Sequence, residues 1–263
     1  MKASQQLKTR PIDFKTIGVL IYGVISYLVF LICFLYAIGF VGNLVVPKSI
    51  DAMPQVASGR AIFVDLCLLL LFAMQHSVMA RQSFKNWWTQ IIPKPIERST
   101  YVLLSSLCLI VLFWQWQPIG GLIWEVKNFT GQIIILTLFA LGWLLVLIST
   151  FWIDHFDLFG LRQVYLYWRD REYAPLPFMT PGLYKYIRHP LYLGWFLAFW
   201  AAPKMTVTHL VFALMTTAYI LVAIQFEERD LLEAYGKVYA DYRQRVPMFI
   251  PFLANKKGKQ EIE

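Results

Sequence analysis

Residues 16–47 contain no Asp, Glu, Lys or Arg. About 20 apolar residues in a helix are enough to cross the hydrocarbon core of a bilayer, which is about 30 Å thick. The segment is therefore long enough to span a membrane. It is also longer than the apolar core of a cleaved signal peptide, which predicts a first helix that the protein retains.

Further apolar runs follow at 61–80, 101–116, 132–153, 190–202 and 205–226. Only Pro203 and Lys204 separate the last two, and the first of that pair is short, which predicts a hairpin. Only 15% of the residues are charged, whereas a soluble domain carries about 25%. We predict an all-α, polytopic integral membrane protein with five to six membrane segments, the last two forming a hairpin. The whole chain, 1–263, is expected to be a single membrane domain, with four N-terminal spans within 17–153.

Lysine and arginine are concentrated at both ends of the chain and in the loops after the second and fourth spans. The remaining connections hold only Lys48, Arg60, Lys127 and Lys204. By the positive-inside rule this bias predicts a multi-pass protein with both termini in the cytoplasm, in a bacterial inner membrane. Basic loops beside anionic headgroups also account for the net charge of +8, so no nucleic-acid partner is expected. The basic residues at the two ends include Lys2, Lys8, Arg10, Lys256, Lys257 and Lys259.

The most informative motif is "TPGLYKYIRHPLYLGWF" (180–196), followed after the last span by "EERDLLEAYGKVYADYRQRVPMFIPF" (227–252). If the last two apolar runs form a hairpin, Arg188 and His189 lie at the same membrane depth as Glu227 and Glu228. Arginine pairs well with a carboxylate, and glutamate pairs with an ammonium group. The region 180–252 therefore suits a zwitterionic ligand.

These motifs resemble the C-terminal region of the isoprenylcysteine carboxyl methyltransferase and phospholipid methyltransferase superfamily, membrane enzymes that use S-adenosylmethionine. The stretches "MQHSVMARQSFKNWW" (74–88) and "PIERSTYVLLSS" (95–106) resemble the NnrU-like membrane family. "WIDHFDLFGLRQVYLYW" (152–168) resembles its methanethiol S-methyltransferase branch. The resemblance implies methyl transfer from S-adenosylmethionine to methanethiol, which releases dimethyl sulfide and S-adenosylhomocysteine.

In this interpretation 180–252 is a methyltransferase-like, cofactor-binding region. Arg188 is expected to pair with the cofactor carboxylate and one glutamate with its ammonium group, Glu228 being slightly favoured. Tyr192, Trp195 or Tyr239 would present aromatic faces to the sulfonium, and glycines such as Gly182 would permit close backbone approach. The cofactor-binding candidates are Arg188, His189, Tyr192, Gly194, Glu227, Glu228 and Tyr239.

Methyl transfer to sulfur requires a thiolate, whereas a simple thiol is mostly protonated near neutral pH. His189, His76 and His155 are the candidates for taking the proton. The alternative is that the sulfonium itself lowers the thiol pKa and that no base is needed. The substrate-binding candidates are Glu97, Arg98, Asp154, Arg162 and Gln163. No metal is expected, because Asp154, His155 and Asp157 do not converge on one point and the cysteines lack metal-ligand spacing.

Two other functions remain open from the sequence. The first is methylation of a prenylcysteine carboxylate or a phospholipid amine, for which a wide cleft between helices would be needed. The second is a non-catalytic, NnrU-like membrane accessory protein that binds no cofactor. Asp65, inside the second apolar run, is expected to form a structural hydrogen bond to another helix.

Overall fold

The computed structural model describes residues 13–251, which are mostly helical. The helices are α1 (Phe14–Gly42), α2 (Ser58–Ala80), α3 (Gln82–Trp88), α4 (Glu97–Gln115), α5 (Phe129–Ile153), α6 (His155–Leu158), α7 (Leu161–Trp168), α8 (Pro190–Trp200), α9 (Val207–Tyr235) and α10 (Lys237–Arg245). Two short strands are β1 (Leu122–Glu125) and β2 (Lys204–Thr206). Within 13–251, five helices, α1, α2, α4, α5 and α9, are long and apolar enough to cross a membrane. The predicted all-α, multi-pass architecture is confirmed.

Some sequence predictions fall beyond the part of the chain that the structure describes. These are the basic residues Lys2, Lys8 and Arg10 near the N-terminus, Lys256, Lys257 and Lys259 near the C-terminus, and position 252 at the end of the predicted cofactor-binding region.

Polar residues define where the long helices begin and end. α1 ends at Gly42 rather than at 47, because Asn43 takes the left-handed conformation (φ 54°) and its N–H bonds to the Gly39 carbonyl. Asparagine tolerates this conformation better than most residues. At the start of α5 the Asn128 side chain accepts a hydrogen bond from the Gly131 N–H, a typical N-cap that satisfies a free backbone donor.

α8 has 11 residues and is therefore only about 16 Å long. β2 follows it and pairs antiparallel with β1, with Trp124 opposite Met205 and Glu125 opposite Lys204. Because β1 lies in the connection between α4 and α5, the C-terminal end of α8 reaches that same side of the bundle. We call this side the ribbon face, and the side on which α8 begins the motif face. The α8–β2–α9 unit is the predicted hairpin.

α8 packs chiefly against α5, and two glycines allow the close approach. A Cβ atom on Gly194 would lie 2.8 Å from the Gly142 carbonyl oxygen and 2.8 Å from the Val146 nitrogen. A Cβ on Gly142 would lie 2.5 Å from the Ala198 nitrogen. Small residues at such crossings let membrane helices pack backbone to backbone. The position of α8 therefore depends on both glycines.

Buried polar groups connect the segments at the ribbon face. The Asp51 carboxylate accepts hydrogen bonds from Asn43 and from the Thr206 hydroxyl, and lies 3.6 Å from Nδ1 of His209. These bonds hold the loop after α1 against the start of α9. Asp65 accepts from the backbone N–H of Gln117 at 2.8 Å. The prediction that Asp65 bonds to another helix was wrong. α4 ends at Gln115, so the partner, Gln117, lies in the segment that follows α4.

We expect Gly194→Ala to lower the thermal stability of the detergent-solubilised protein, by about 1–3 kcal/mol, because the added methyl group meets backbone atoms of α5. The control is Gly18→Ala in α1, where a Cβ has no neighbour within 4 Å. Alanine is the better helix former, so the control should be as stable as the parent or more so. Equal melting temperatures for Gly194→Ala and the parent would contradict the proposed crossing.

Candidate active site

Arg188 is the centre of a charged cluster at the motif face. Its Nε donates to Oε1 of Glu228 at 2.7 Å, and its Nη1 donates to the carbonyls of Arg243 at 3.0 Å and Val246 at 2.6 Å. Nε2 of His189 lies 3.1 Å from the same Glu228 oxygen. The sequence motif predicted these groups at one membrane depth, and the structure places them in direct contact.

The local backbone explains how the cluster forms. Pro190 occupies the first turn of α8, where its missing N–H breaks no helical hydrogen bond. The chain beyond α10 returns to this point, so that the N–H of Arg188 donates to the Pro247 carbonyl at 2.9 Å and that of His189 to the Met248 carbonyl at 3.2 Å. The segment after α10 is therefore part of the site.

The two adjacent glutamates have different surroundings. Successive residues on a helix point about 100° apart, so that Glu228 turns towards Arg188 and is 6% exposed. Glu227 is only partly buried, and its carboxylate accepts a hydrogen bond from the Tyr192 hydroxyl at 2.7 Å. Within residues 13–251 no cationic side chain lies within 4.0 Å of Glu227. Glu228 is thus already paired with Arg188, whereas Glu227 has no ionic partner in the described part of the chain.

Two hydrogen-bond donors beside the cluster have no acceptor in the described part of the chain. The Nη2 group of Arg188 makes no hydrogen bond there. The hydroxyl of Tyr239 on α10 is buried and also lacks a partner. Burial, followed by the nearby Glu228 carboxylate, raises the pKa of Tyr239, which keeps this hydroxyl protonated. A ligand with an anionic or polar group could satisfy both donors.

Gly194, Gly182 and Trp195 were expected to help accommodate a cofactor, and the structure accounts for all three by packing. Gly194 faces α5, as described above. A Cβ on Gly182 would overlap the ring of Trp152. The Trp195 ring packs against Phe34, Trp143 and Phe199 in the bundle core.

His76 lies in a second polar cluster, between α2 and α4. The hydroxyl of Tyr101 is 2.9 Å from Nε2 and 3.0 Å from Nδ1 of His76, and Oγ of Ser105 is 3.3 Å from Nδ1. Phe72, which stacks on the His76 ring, also meets the ring of Tyr219 edge to face, with centroids 6.4 Å apart. The His76 cluster therefore lies where α2 meets α4 and α9.

Tyr101 and Tyr219 were not predicted as site residues. The spacing of Arg98 and Tyr101, three residues apart on one helix face, was the available signal for Tyr101. In the structure the Arg98 guanidinium lies 4.9 Å from the centroid of the Tyr101 ring. Tyr219 gave no such signal, because it reaches the site only through the packing of α9 beside α2, where its hydroxyl is 3.2 Å from Oγ of Ser77.

His155 lies apart from both clusters. Its Nε2 is 2.8 Å from the Tyr27 hydroxyl, its Nδ1 is 2.8 Å from Oγ1 of Thr150, and its ring stacks on Phe151. Burial lowers the pKa of His155, opposed by the weaker effect of Asp154. With both ring nitrogens engaged, His155 has no free nitrogen for an acceptor substrate.

The predicted substrate-binding residues divide into two groups. Arg162 donates to Oδ1 of Asp157 at 2.8 Å, Gln163 donates to the carbonyl of Asp157 at 3.0 Å, and Asp154 accepts from its N–H at 2.9 Å. These three therefore organise the α6–α7 turn around Asp157. Arg98 joins that turn to Tyr101, because its Nε donates to the Leu158 carbonyl at 2.7 Å.

Glu97 begins α4, and its backbone N–H donates to the Lys94 carbonyl, whereas its side chain makes no hydrogen bond within residues 13–251. Across the same range, no group of three or more His, Cys, Asp or Glu side chains is arranged to hold a metal ion.

Comparisons with known proteins agree with the motifs. The model of the isoprenylcysteine carboxyl methyltransferase (ICMT) family matches residues 172–233. The methanethiol S-methyltransferase of Crocosphaera subtropica is 60% identical over 90% of this chain and 93% of its own length. That of Mycobacterium tuberculosis is 55% identical over 89% and 96%.

The chain belongs to the methanethiol S-methyltransferase family. The resemblance found in the sequence is therefore confirmed, and with it the assignment of the chain as an enzyme. A more distant relative is nurim of Mus musculus, 31% identical over 64% of this chain and 66% of its own length. No solved structure matches.

We expect Glu228→Ala to destabilise the protein by about 3–5 kcal/mol, because it leaves the largely buried Arg188 without its counter-charge. The control is Asp230→Ala, which removes the partner of Arg81 from a pair whose side chains are 32% and 48% exposed. An exposed pair contributes less than about 1 kcal/mol. Thermal unfolding in detergent measures both variants, and similar losses for the two would contradict a special role for the Arg188–Glu228 pair.

Proposed function

We propose that the protein transfers a methyl group from S-adenosylmethionine to methanethiol and so forms dimethyl sulfide and S-adenosylhomocysteine. The names of the relatives support methanethiol as the acceptor. The observation that carries the proposal is the free Glu227 carboxylate beside the Arg188–Glu228 pair, at the end of a membrane hairpin.

The residues present fit this cofactor. The Nη2 edge of Arg188 would bind the carboxylate, and Glu227 would bind the ammonium group, since charge-assisted bonds of this kind are strong. The unpartnered Tyr239 hydroxyl supplies a further donor in the same cluster. When bound, the cofactor supplies a methyl group activated by a sulfonium. The aromatic face of Tyr192 would stabilise that positive charge.

The position of the site suits the reaction. A thiolate and a sulfonium become neutral products, so exclusion of water favours the transition state once both reactants are in place. Methanethiol is small and apolar and would reach the site through the lipid. Tyr192, which is partly buried, would border the space in which the sulfur and the methyl group meet.

The motif face would lie in the cytoplasm, where a soluble cofactor is available. Arg81 and Lys85 follow α2, and Arg98 lies in the first turn of α4, all on this face, which agrees with the positive-inside rule. We therefore propose a bacterial inner-membrane location with both termini in the cytoplasm.

Membranes that contain the protein, incubated with methanethiol and methyl-labelled S-adenosylmethionine, are expected to release labelled dimethyl sulfide into the headspace. Matched membranes without the protein serve as the control. If the label appears in a prenylcysteine or phospholipid fraction and no dimethyl sulfide forms, the acceptor is a lipid-borne group and not methanethiol. No transfer and no cofactor binding would favour an accessory protein instead.

We expect Glu227→Gln to weaken S-adenosylhomocysteine binding by about 1.5–3 kcal/mol, the value of a hydrogen bond to a charged group. Isothermal titration of the purified protein measures the change. Glu233→Gln, an exposed position further along α9, is the control and should bind as the parent does. If Glu227→Gln binds S-adenosylhomocysteine as tightly as the parent protein does, Glu227 does not bind the ammonium group.

A further inference from the structure

Several residues of the charged cluster at the motif face are buried in this structure. Tyr239 is 1% exposed, and its hydroxyl has no hydrogen-bond partner in the described part of the chain. His189 and Glu228 beside it are also buried. A soluble nucleoside reaches these groups only if a covering part of the chain moves aside. Entry of the cofactor therefore depends on the segment that covers Tyr239.

Residues 171–181 form this cover, and we call them the lid. The lid contains neither helix nor strand. Its side chains alternate: Leu176, Phe178 and Thr180 are half-buried, whereas the positions between them are exposed. This alternation is that of an extended chain laid across a surface, with every second residue facing the protein.

Phe178 is the residue through which the lid contacts the site. Its ring meets Tyr239 edge to face, with centroids 5.6 Å apart, and lies 5.3 Å from the ring of Tyr242. Both tyrosines belong to α10, where the carbonyl of Arg243 accepts a hydrogen bond from Arg188 at 3.0 Å. Displacement of Phe178 would therefore uncover Tyr239 on the helix that Arg188 holds in place.

A second set of contacts holds the lid to the α6–α7 turn. The Tyr173 hydroxyl donates to Oδ2 of Asp157 at 3.3 Å, and Nη1 of Arg162 donates to the Ala174 carbonyl at 3.2 Å. The Arg162 guanidinium also lies 5.2 Å from the centroid of the Tyr173 ring and donates to Oδ1 of Asp157 at 2.8 Å. We call Asp157, Arg162 and Tyr173 the latch.

The contacts of the lid are of a kind that opens at low cost. Tyr173 is 45% exposed, and Ala174 is exposed as well, so water replaces each latch bond when that bond breaks. Nearer the site, the Tyr235 hydroxyl donates to the Leu176 carbonyl at 3.3 Å. Segments held by solvent-exposed hydrogen bonds open locally far more readily than packed helices do.

We propose that the lid opens to admit the cofactor and that the latch holds the lid closed, an inference that rests on the proposed function. Asp157 is then a positioning residue: it acts on the site only through Tyr173 and the lid, which keeps Phe178 over Tyr239. Closure excludes water from the reacting groups, as transfer between a sulfonium and a thiolate requires. Because the latch does not touch the ligand, it favours the closed lid equally before and after binding.

The test compares Tyr173→Phe with the parent in stopped-flow binding of S-adenosylhomocysteine to the detergent-solubilised protein. Phenylalanine keeps the ring beside Arg162 and removes only the hydroxyl that bonds to Asp157. We expect the association and dissociation rate constants each to rise about 2- to 10-fold, the usual effect of one hydrogen bond, while Kd stays close to that of the parent. Tyr36→Phe, which loses a hydroxyl bonded to the Lys48 carbonyl near the ribbon face, should change neither rate constant.

Asp157→Asn provides a second variant, in which both rate constants should also rise. Adding Tyr173→Phe to Asp157→Asn should have less effect than Tyr173→Phe alone, because both changes weaken the same contact. Parental rate constants in both single variants would overturn the inference. So would a weaker Kd with an unchanged association rate constant, which is the result expected from damage to the fold. Failure of the parent protein to bind S-adenosylhomocysteine would instead overturn the proposed function.

Discussion

The ion pair of Arg188 and Glu228 is the interaction on which the motif face depends. Removing either charge from water is costly, and the pair is tolerated because each partner is satisfied on several sides. Arg188 also donates to two carbonyls of the segment after α9, and Glu228 also contacts His189. One pair of side chains thus joins the start of α8, the end of α9 and the chain beyond α10. The same contacts leave Nη2 of Arg188 and the carboxylate of Glu227 available to a ligand.

The shortness of α8 is what places this ion pair at the membrane boundary. Gly142 and Gly194 fix α8 against α5, and the pairing of β2 with β1 fixes its far end. A helix of full length would carry Arg188 further from the apolar part of the bundle. With 11 residues in α8, the cation begins the helix within reach of both the polar interface and the aromatic interior. This arrangement explains why a charged motif precedes an apolar helix in the sequence.

Features set by local pattern could be predicted, and features set by helix rotation could not. The apolar runs predicted every membrane helix in the described part of the chain, and the motif predicted that Arg188 and the two glutamates lie at one membrane depth. The sequence could not decide between Glu227 and Glu228, because that depends on how α9 is rotated about its axis. The β1–β2 pairing joins segments far apart in the chain, and strands of four and three residues are too short for a pattern to reveal them. Tyr101 was missed because its contact with His76 depends on how α4 is rotated against α2, which the periodicity of the sequence does not specify.

The site lies where two very different reactants can meet. The proposed cofactor is a charged nucleoside that stays in water, whereas the proposed acceptor is a small apolar thiol that partitions into lipid. Charged groups are concentrated at the beginning of α8 and the end of α9, whereas the rings that pack inside the bundle are largely uncharged. The charged cluster would suit the zwitterion, and the apolar, aromatic interior of the bundle would suit the thiol.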